Sequence, residues 1–479
     1  VGCSAASDRL TGCCSGLLEI LPYSGDNPLY RHGAIGPAPN RRYLQHADGT
    51  PFFWLADTWW MGLTTRLAWP AGFMQLTADR KTKGFNVVQI VAGLYPDMEP
   101  FDPRGANEAG FPWTTDWQQI NPDYFDAADL KIAWLVEQGI VPCIVGSWGY
   151  LKDYAGIGTI RRHWNNLIAR WGAYPVVWCL AGEATMPYYN NPDIQAGRLT
   201  REQYAVAARK DWTVLMRHVR EKDPFHRLVT IHPTANGHEQ VEDESLLDLD
   251  MLQTGHGSFL SLAPTVRQVR TAVARNRHPV INSEVCYEGI CASSGADVQR
   301  YAFWSCVLSG CCGHTYGANG IWQLNAVNEP YGLSPHGASW GDTSWQDASQ
   351  LPGSGQLGLG RRLLMRYPWW QFEPHPEWTE KSCSGDSLDG FFAAGVPGVV
   401  RLIFKPFLGG TFRGEDKICA LEPDVSYRAF YFNPINGSQR DLGLVEPDSQ
   451  GCWLSPRFSA FQDWVLVLEA VAPFRQAAQ

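Results

Sequence analysis

Two glutamates close short apolar runs in this chain. Pro175-Val-Val-Trp-Cys-Leu-Ala-Gly-Glu-Ala184 runs into Glu183, and His278-Pro-Val-Ile-Asn-Ser-Glu-Val285 runs into Glu284. Runs of this kind read as parallel strands covered on both faces. A carboxylate at the end of such a strand is costly to desolvate unless something uses it. A lone Glu there would cap a helix or pair with an arginine. Two at matching places in a repeated pattern point to two carboxyls facing one pocket. One would be protonated to assist a leaving oxygen, and the other ionised to attack carbon or activate water. That is the chemistry of glycosidic-bond cleavage.

The elements that must hold such a pair follow from periodicity. Strand-like runs fall at 52–56, 86–91, 140–145, 176–180, 227–231, 248–253, 279–283 and 313–316. Amphipathic helical stripes lie between them, such as Phe125, Ala128, Ile132, Leu135 and Val136, with further helices near 71–83, 158–172, 205–219, 262–276, 296–309 and 355–366. Eight β/α repeats with right-handed crossovers close into an α/β TIM barrel, (β/α)8, here expected over 46–370 after an N-terminal extension at 1–45. A hairpin with Asp48-Gly49 at its turn leads in. A doubly wound sheet is the alternative, but no nucleotide fingerprint follows its first strand. Gly353-Ser-Gly-Gln-Leu-Gly358 fits G-x-G-x-x-G yet follows Pro352 rather than a strand, so it reads as a loop. From 371 to 479, runs at 398–404, 427–432 and 463–468 alternate with Gly, Pro and Asn turns, which predicts a C-terminal antiparallel β-sandwich domain.

In such a barrel the active site lies at the C-terminal strand ends. These ends bring candidate substrate-binding residues: Asp57, Trp59 and Trp60 from the first strand, Tyr95 from the second and Trp148 from the third. His232 and Asn236 follow the fifth, His256 the sixth, Tyr287 the seventh, and Tyr316 and Trp322 the eighth. Asp57 could equally hold a loop, each ring could be core, and a buried His could be structural. Glu288, beside Gly289, is the rival to Glu284. The set has no metal-ligand spacing, phosphate loop or G-x-S-x-G elbow, so no cofactor and no metal are expected.

Bulk properties agree with a catalytic barrel plus a smaller domain. The chain has 479 residues, 45% hydrophobic and 18% charged, with a net charge of −9. Nucleic acid and anionic membrane are therefore poor partners, and oligomeric state is open. Its 21 Trp, 18 Tyr and 21 Phe predict rings along a sugar-binding cleft. Thirteen cysteines suit disulfides better than zinc, with local bridges expected for Cys3 with Cys13 or Cys14, Cys286 with Cys291, and a pair among Cys383, Cys419 and Cys452. With one sequon, Asn436-Gly-Ser438, and no initiator Met, the chain reads as a secreted product whose leader has been removed.

The stretches Gly49-Thr-Pro-Phe-Phe-Trp-Leu-Ala-Asp-Thr-Trp59, Lys83-Gly-Phe-Asn-Val-Val-Gln89, Trp178-Cys-Leu-Ala-Gly-Glu183 and Asn282-Ser-Glu284 resemble the apiosidase-like glycosidases, close to glycoside hydrolase family 140. The tail, from Tyr431-Phe-Asn-Pro434 through Asp463-Trp-Val-Leu466, resembles the collagen-binding-type sandwich that follows such barrels. The resemblance covers the chain from about residue 40 onward. It implies Glu183 as acid/base and Glu284 as nucleophile in a retaining hydrolase of plant or microbial polysaccharide, with a furanosidase among the activities it suggests. The apiosidase type has Asp after two glycines where this chain has Ala181-Gly182-Glu183, so apiose specificity is not implied. The Asn-Glu pair common at the fourth strand of such enzymes is also missing. A non-catalytic carbohydrate- or matrix-binding protein on a retired barrel, or a transglycosylase using the same glutamates, are the competing functions.

Overall fold

A computed structural model describes residues 23–471 apart from 384, 386–387, 408–414 and 458–459. Eight parallel strands form the central sheet: β1 (Trp54–Trp59), β2 (Val87–Val91), β3 (Val141–Val145), β4 (Val177–Cys179), β5 (Val229–Thr230), β6 (Asp250–Gln253), β7 (Val280–Glu284) and β8 (Gly313–Tyr316). They run in the order β5-β4-β3-β2-β1-β8-β7-β6. The seam between β5 and β6 is joined largely by side chains. Asp248 accepts from Val229 N at 2.9 Å, and Thr230 Oγ1 donates to Leu249 O at 2.8 Å. The result is the expected (β/α)8 barrel.

Helices α1 (Ala71–Thr82), α2 (Pro122–Glu137), α3 (Ile157–Trp171), α4 (Arg201–Lys222), α5 (Leu262–Ala274), α6 (Ala296–Val307) and α7 (Pro352–Leu364) pack outside. Their starts follow local chemistry. Thr200 and Gln203 make a reciprocal capping box at α4, and Asn121 caps α2 ahead of a Pro at its first turn. After β5 only two 3-10 turns, Gly237–Gln240 and Glu244–Leu246, stand where a helix would be. The glycine-rich segment at 353–358 is helical, not a loop, because Pro352 starts α7 and supplies the φ a first turn needs.

Upstream, a three-stranded meander at Ile35–Pro37, Leu44–His46 and Pro51–Phe52 includes the expected hairpin. Downstream, β9 (Glu373–Pro374), β10 (Phe392–Val396), β11 (Val400–Lys405), β12 (Asp416–Ile418), β13 (Tyr427–Phe432), β14 (Gln439–Leu444), β15 (Trp453–Ser455) and β16 (Trp464–Ala470) complete the chain. Six of them form a sheet ordered β9-β10-β11-β16-β13-β14, and β12 and β15 pair separately. Every ladder in this region is antiparallel. The alternation of the strands splits them between two cores. Leu402, Phe404, Phe430, Phe432, Val465 and Val467 join the barrel's core, whereas Ile403, Ala429, Tyr431, Leu466 and Leu468 face a second one with Ile418 and Trp378. A sheet buried on both faces has apolar residues at successive positions, which explains the continuous runs in the sequence.

Two composition-based expectations change. Most large rings are core filler: Trp54, Trp59, Trp164, Trp171, Trp178, Trp212 and Trp304 are fully buried. The expected Cys286–Cys291 bridge does not form, nor does one between Cys419 and Cys452; these four are thiols. Cys286 is buried in a wall of the barrel mouth, where its sulfur accepts from Ser258 N at 3.2 Å, while Cys291 is exposed on a turn. The pairing proposed for Cys3 with Cys13 or Cys14 lies outside the described residues.

Candidate active site

Glu183 stands just beyond β4 with a φ of 45°, a left-handed conformation that a non-glycine residue keeps only when its surroundings impose it. The imposing element is the turn after β3. Trp148 bridges to Gly182, and Gly149 N donates to Gly182 O at 2.8 Å. A side chain on Gly182 would run into the Trp148 ring, and one on Gly149 would lie 2.6 Å from Glu183 O. The two glycines therefore let the turns interlock, so that Trp148 Nε1 donates to Glu183 Oε2 at 3.2 Å.

Glu284 ends β7 and is 5% exposed. His256 Nε2 is 2.7 Å from its Oε1, and His232 Nε2 is 3.1 Å from its Oε2. Gln253, the last residue of β6, links the two glutamates, its Nε2 donating to Glu183 Oε1 at 3.0 Å and to Glu284 Oε1 at 3.2 Å. Those two contacts laid end to end limit the separation of the two oxygens to at most about 6.2 Å. Tyr287 hydrogen-bonds Glu284 and accepts from Trp60 Nε1 at 3.1 Å.

The two carboxyls are tuned in opposite directions. Burial raises Glu183, the Glu284 charge raises it further, and hydrogen bonds from Gln253 and Trp148 offset only part of this. Burial would raise Glu284 as well, but hydrogen bonds from His232 and His256, with the charge of His256, hold it down at about 2. His256 is correspondingly pushed up to about 10, since its bonds to Cys286 and Glu284 outweigh its own desolvation.

Both glutamates open into one cavity of about 300 Å³. Of the residues expected at the mouth, Trp60, Trp148, His256, Tyr287 and Trp322 line it, and His232 lies beneath Glu284 as a positioning residue. The expectation is corrected for the other five. Asp57 is fully buried, paired with Arg80 at 2.6 Å and accepting from Trp59 Nε1 at 2.7 Å, so both Asp57 and Trp59 belong to the barrel interior. Tyr95 bonds the Tyr124 hydroxyl at 2.5 Å. Asn236 donates to Glu239 at 3.1 Å, away from the cavity. The Tyr316 hydroxyl donates to Glu288 at 2.6 Å, and Glu288 also accepts from Gly353 N at 3.0 Å, which commits the rival glutamate to holding α7.

The cavity also takes in Asp97, Tyr189, Gln253, His336 and Trp340. Gln253 alone of these had a signal in the sequence, as the polar end of an apolar strand. The other four lie on loops whose paths periodicity does not report. Among the described residues no cluster of three or more His, Cys, Asp or Glu side chains is placed to hold a metal ion.

Two carboxyls that face one cavity from the ends of the fourth and seventh strands of a closed parallel barrel have the arrangement that glycoside hydrolysis needs. Residues 38–371 match the apiosidase-like catalytic domain family, and the chain is a member of it. Two solved structures share the fold across both domains. One is described as a glycoside hydrolase, with 20% identity over 92% of this chain and 98% of its own and a TM-score of 0.75. The other is a glycoside hydrolase family 5 protein from Bacteroides vulgatus, with 20% identity over 92% and 94% and a TM-score of 0.74. No curated protein sequence matches the chain.

Proposed function

We propose that this glycoside hydrolase retains anomeric configuration, with Glu284 as nucleophile and Glu183 as acid/base, and acts outside the cell on plant or microbial polysaccharide. The observation that carries the reading is the Gln253 bridge between two oppositely tuned carboxyls. An inverting enzyme needs roughly 6.5–9.5 Å between its carboxyls to admit a water, and the bridge limits one oxygen pair to at most about 6.2 Å. Glu183 keeps its proton for the glycosidic oxygen, while Glu284, ionised above a pKa of about 2, attacks the anomeric carbon. The bond to the leaving oxygen breaks as the bond to Glu284 Oε forms. Glu183, now ionised, then takes a proton from water, which attacks the same carbon and frees Glu284. A compact cavity lined by rings suits a small furanose or pyranose ring stacked on Trp60, Trp148 or Trp322. An extracellular site of action follows from a polymer too large to enter a cell.

Each glutamate has a distinct test. Glu284→Ala and Glu183→Ala should both lower kcat by about 10²–10⁴-fold or more in protein that remains folded. A mechanism-based inhibitor should label Glu284, and proton NMR of the first product should show the substrate's own anomer. Label on Glu288, or the opposite anomer, would defeat the assignment.

A further inference from the structure

The chain between β8 and α7 supplies Trp322 to the cavity and then crosses its mouth. Near its tip it folds back as a small hairpin, with Leu333 and Ser339 bridged antiparallel and Ser334 N donating to Ala338 O at 3.0 Å. Two other loops fasten this hairpin. On the β2 side the Tyr331 hydroxyl donates to Asp97 O at 3.1 Å, and Ser334 Oγ donates to the Asp97 carboxylate. Arg104 Nη1 donates to Leu333 O at 3.0 Å and lies over the Tyr331 ring at 4.4 Å. On the β4 side Asn190 Nδ2 donates to Pro335 O at 3.2 Å, and the Tyr189 and His336 rings are 5.4 Å apart.

The geometry of the barrel gives these contacts their meaning. β8, β1, β2, β3 and β4 are consecutive neighbours around the sheet. A segment that leaves β8 and is fastened to the loops of β2 and β4 therefore arches over the β1–β3 half of the mouth. Asp97, 4% exposed, is both a fastening point of the arch and part of the cavity wall. A polymer cut in its interior must enter and leave past the two carboxyls, which requires openings on both flanks. Here one flank is closed, and the cavity's 300 Å³ is at the small end of the roughly 300–1,000 Å³ of small-molecule sites.

We infer that the cavity is blind-ended and the enzyme exo-acting: it takes the terminal sugar of a chain or side branch beneath the hairpin, against Asp97, and the rest of the chain leaves over β5 and β6. This rests on the hydrolase reading of the Glu183–Glu284 pair. The terminal unit is recognised by its free hydroxyls, which the Asp97 carboxylate can accept, and by ring faces stacked on the cavity's aromatic walls.

The test is digestion of intact soluble pectin, arabinan, xylan and galactomannan by the full chain, followed by reducing-end titration and size-exclusion chromatography on the same samples. Exo action predicts one small sugar from the earliest time point while the high-mass peak persists. Fragments of intermediate length appearing early would overturn the inference and leave the hydrolase reading intact. No new reducing ends on any of the four polymers would count against both. A second variant isolates the arch. Replacing residues 333–339 by two glycines should add intermediate-length products, and an unchanged product pattern in the folded variant would show that the hairpin is not what closes the site.

Discussion

Glu183 and Glu284 are the same side chain in opposite electrostatic settings, and the difference predicts how the enzyme responds to pH. Glu183 has to be protonated, so activity should fall as pH rises through its raised pKa. Glu284 has to be ionised, and at about 2 it remains so down to strongly acidic pH, so it sets no limb near neutrality. Gln253 donates to both carboxylates and favours their ionised forms. Gln253→Ala should therefore move the alkaline limb of kcat/KM to higher pH, and a limb that stayed or moved down would remove Gln253 from the tuning. Asp57 belongs to a different account. Its charge is matched by Arg80 in a pair with no exposure, and Arg80 also bonds Asp79, so Asp57→Ala leaves a buried guanidinium with one carboxylate in place of two and should cost about 1–3 kcal/mol of stability. Denaturant unfolding measures this, and the folded fraction should keep its KM. Why the sequence suggested Asp57 for the mouth is clear from β1. The strand continues to Trp59, so the true strand-end residue is Trp60, and Trp60 does line the cavity. At β7 the carboxylate is the strand's last residue, and at β4 it is four residues past the end but directly after Gly182, which still bridges to Trp148; there the position read from sequence is the position found.

At the scale of elements, readability depended on whether a segment carries a period. Every barrel strand and the helices α1 to α7 were marked by their apolar spacing, and the capping box at Thr200 marked a helix start without reference to the rest of the fold. The arch of residues 325–343, which brings His336 and Trp340 to the cavity wall, has no period and is held by single hydrogen bonds from distant loops. No local rule reports it. The glycine-rich segment of α7 shows a related ambiguity. Glycine there serves close approach, since a side chain on Gly358 would run into Lys83 O at the end of α1, and the spacing only coincides with a phosphate-loop pattern. Gly182 has a comparable purpose at the active site. Gly182→Ala should push Trp148 off Glu183, costing about 1–3 kcal/mol in overpacking. Its larger effect should be on kcat, because Trp148 Nε1 loses its bond to Oε2. Near-wild-type kcat in a folded Gly182→Ala protein would contradict this account of the interlocked turns.

At the scale of the whole molecule, the six-stranded C-terminal sheet shares one of its two faces with the barrel's core. Phe392, Phe404, Phe430, Phe432, Val465 and Val467 of the C-terminal sheet belong to the same apolar cluster as the barrel's own residues. Across that junction Arg300 on α6 makes paired contacts to Asp463 at 2.6 and 2.7 Å, and its third nitrogen donates to Gln356 of α7. Nearby, the Tyr367 hydroxyl donates to Glu469 at 2.5 Å. A buried guanidinium satisfied this fully stabilises little by existing and costs much when its partner is lost. The apolar rows behind it contribute roughly 25 cal/mol for each Å² they remove from water. A chain ended at residue 371 would expose those rows on α6 and α7 and leave Arg300 without its carboxylate. Its helices also support β7 and β8, which carry Glu284 and Trp322. The barrel alone should therefore be insoluble or inactive, and Asp463→Ala in the full chain should lower the melting temperature far more than it changes kcat. A soluble, fully active 23–371 fragment would show that the C-terminal sheet is an appendage, and its function would then have to be sought in binding rather than in support of the catalytic barrel.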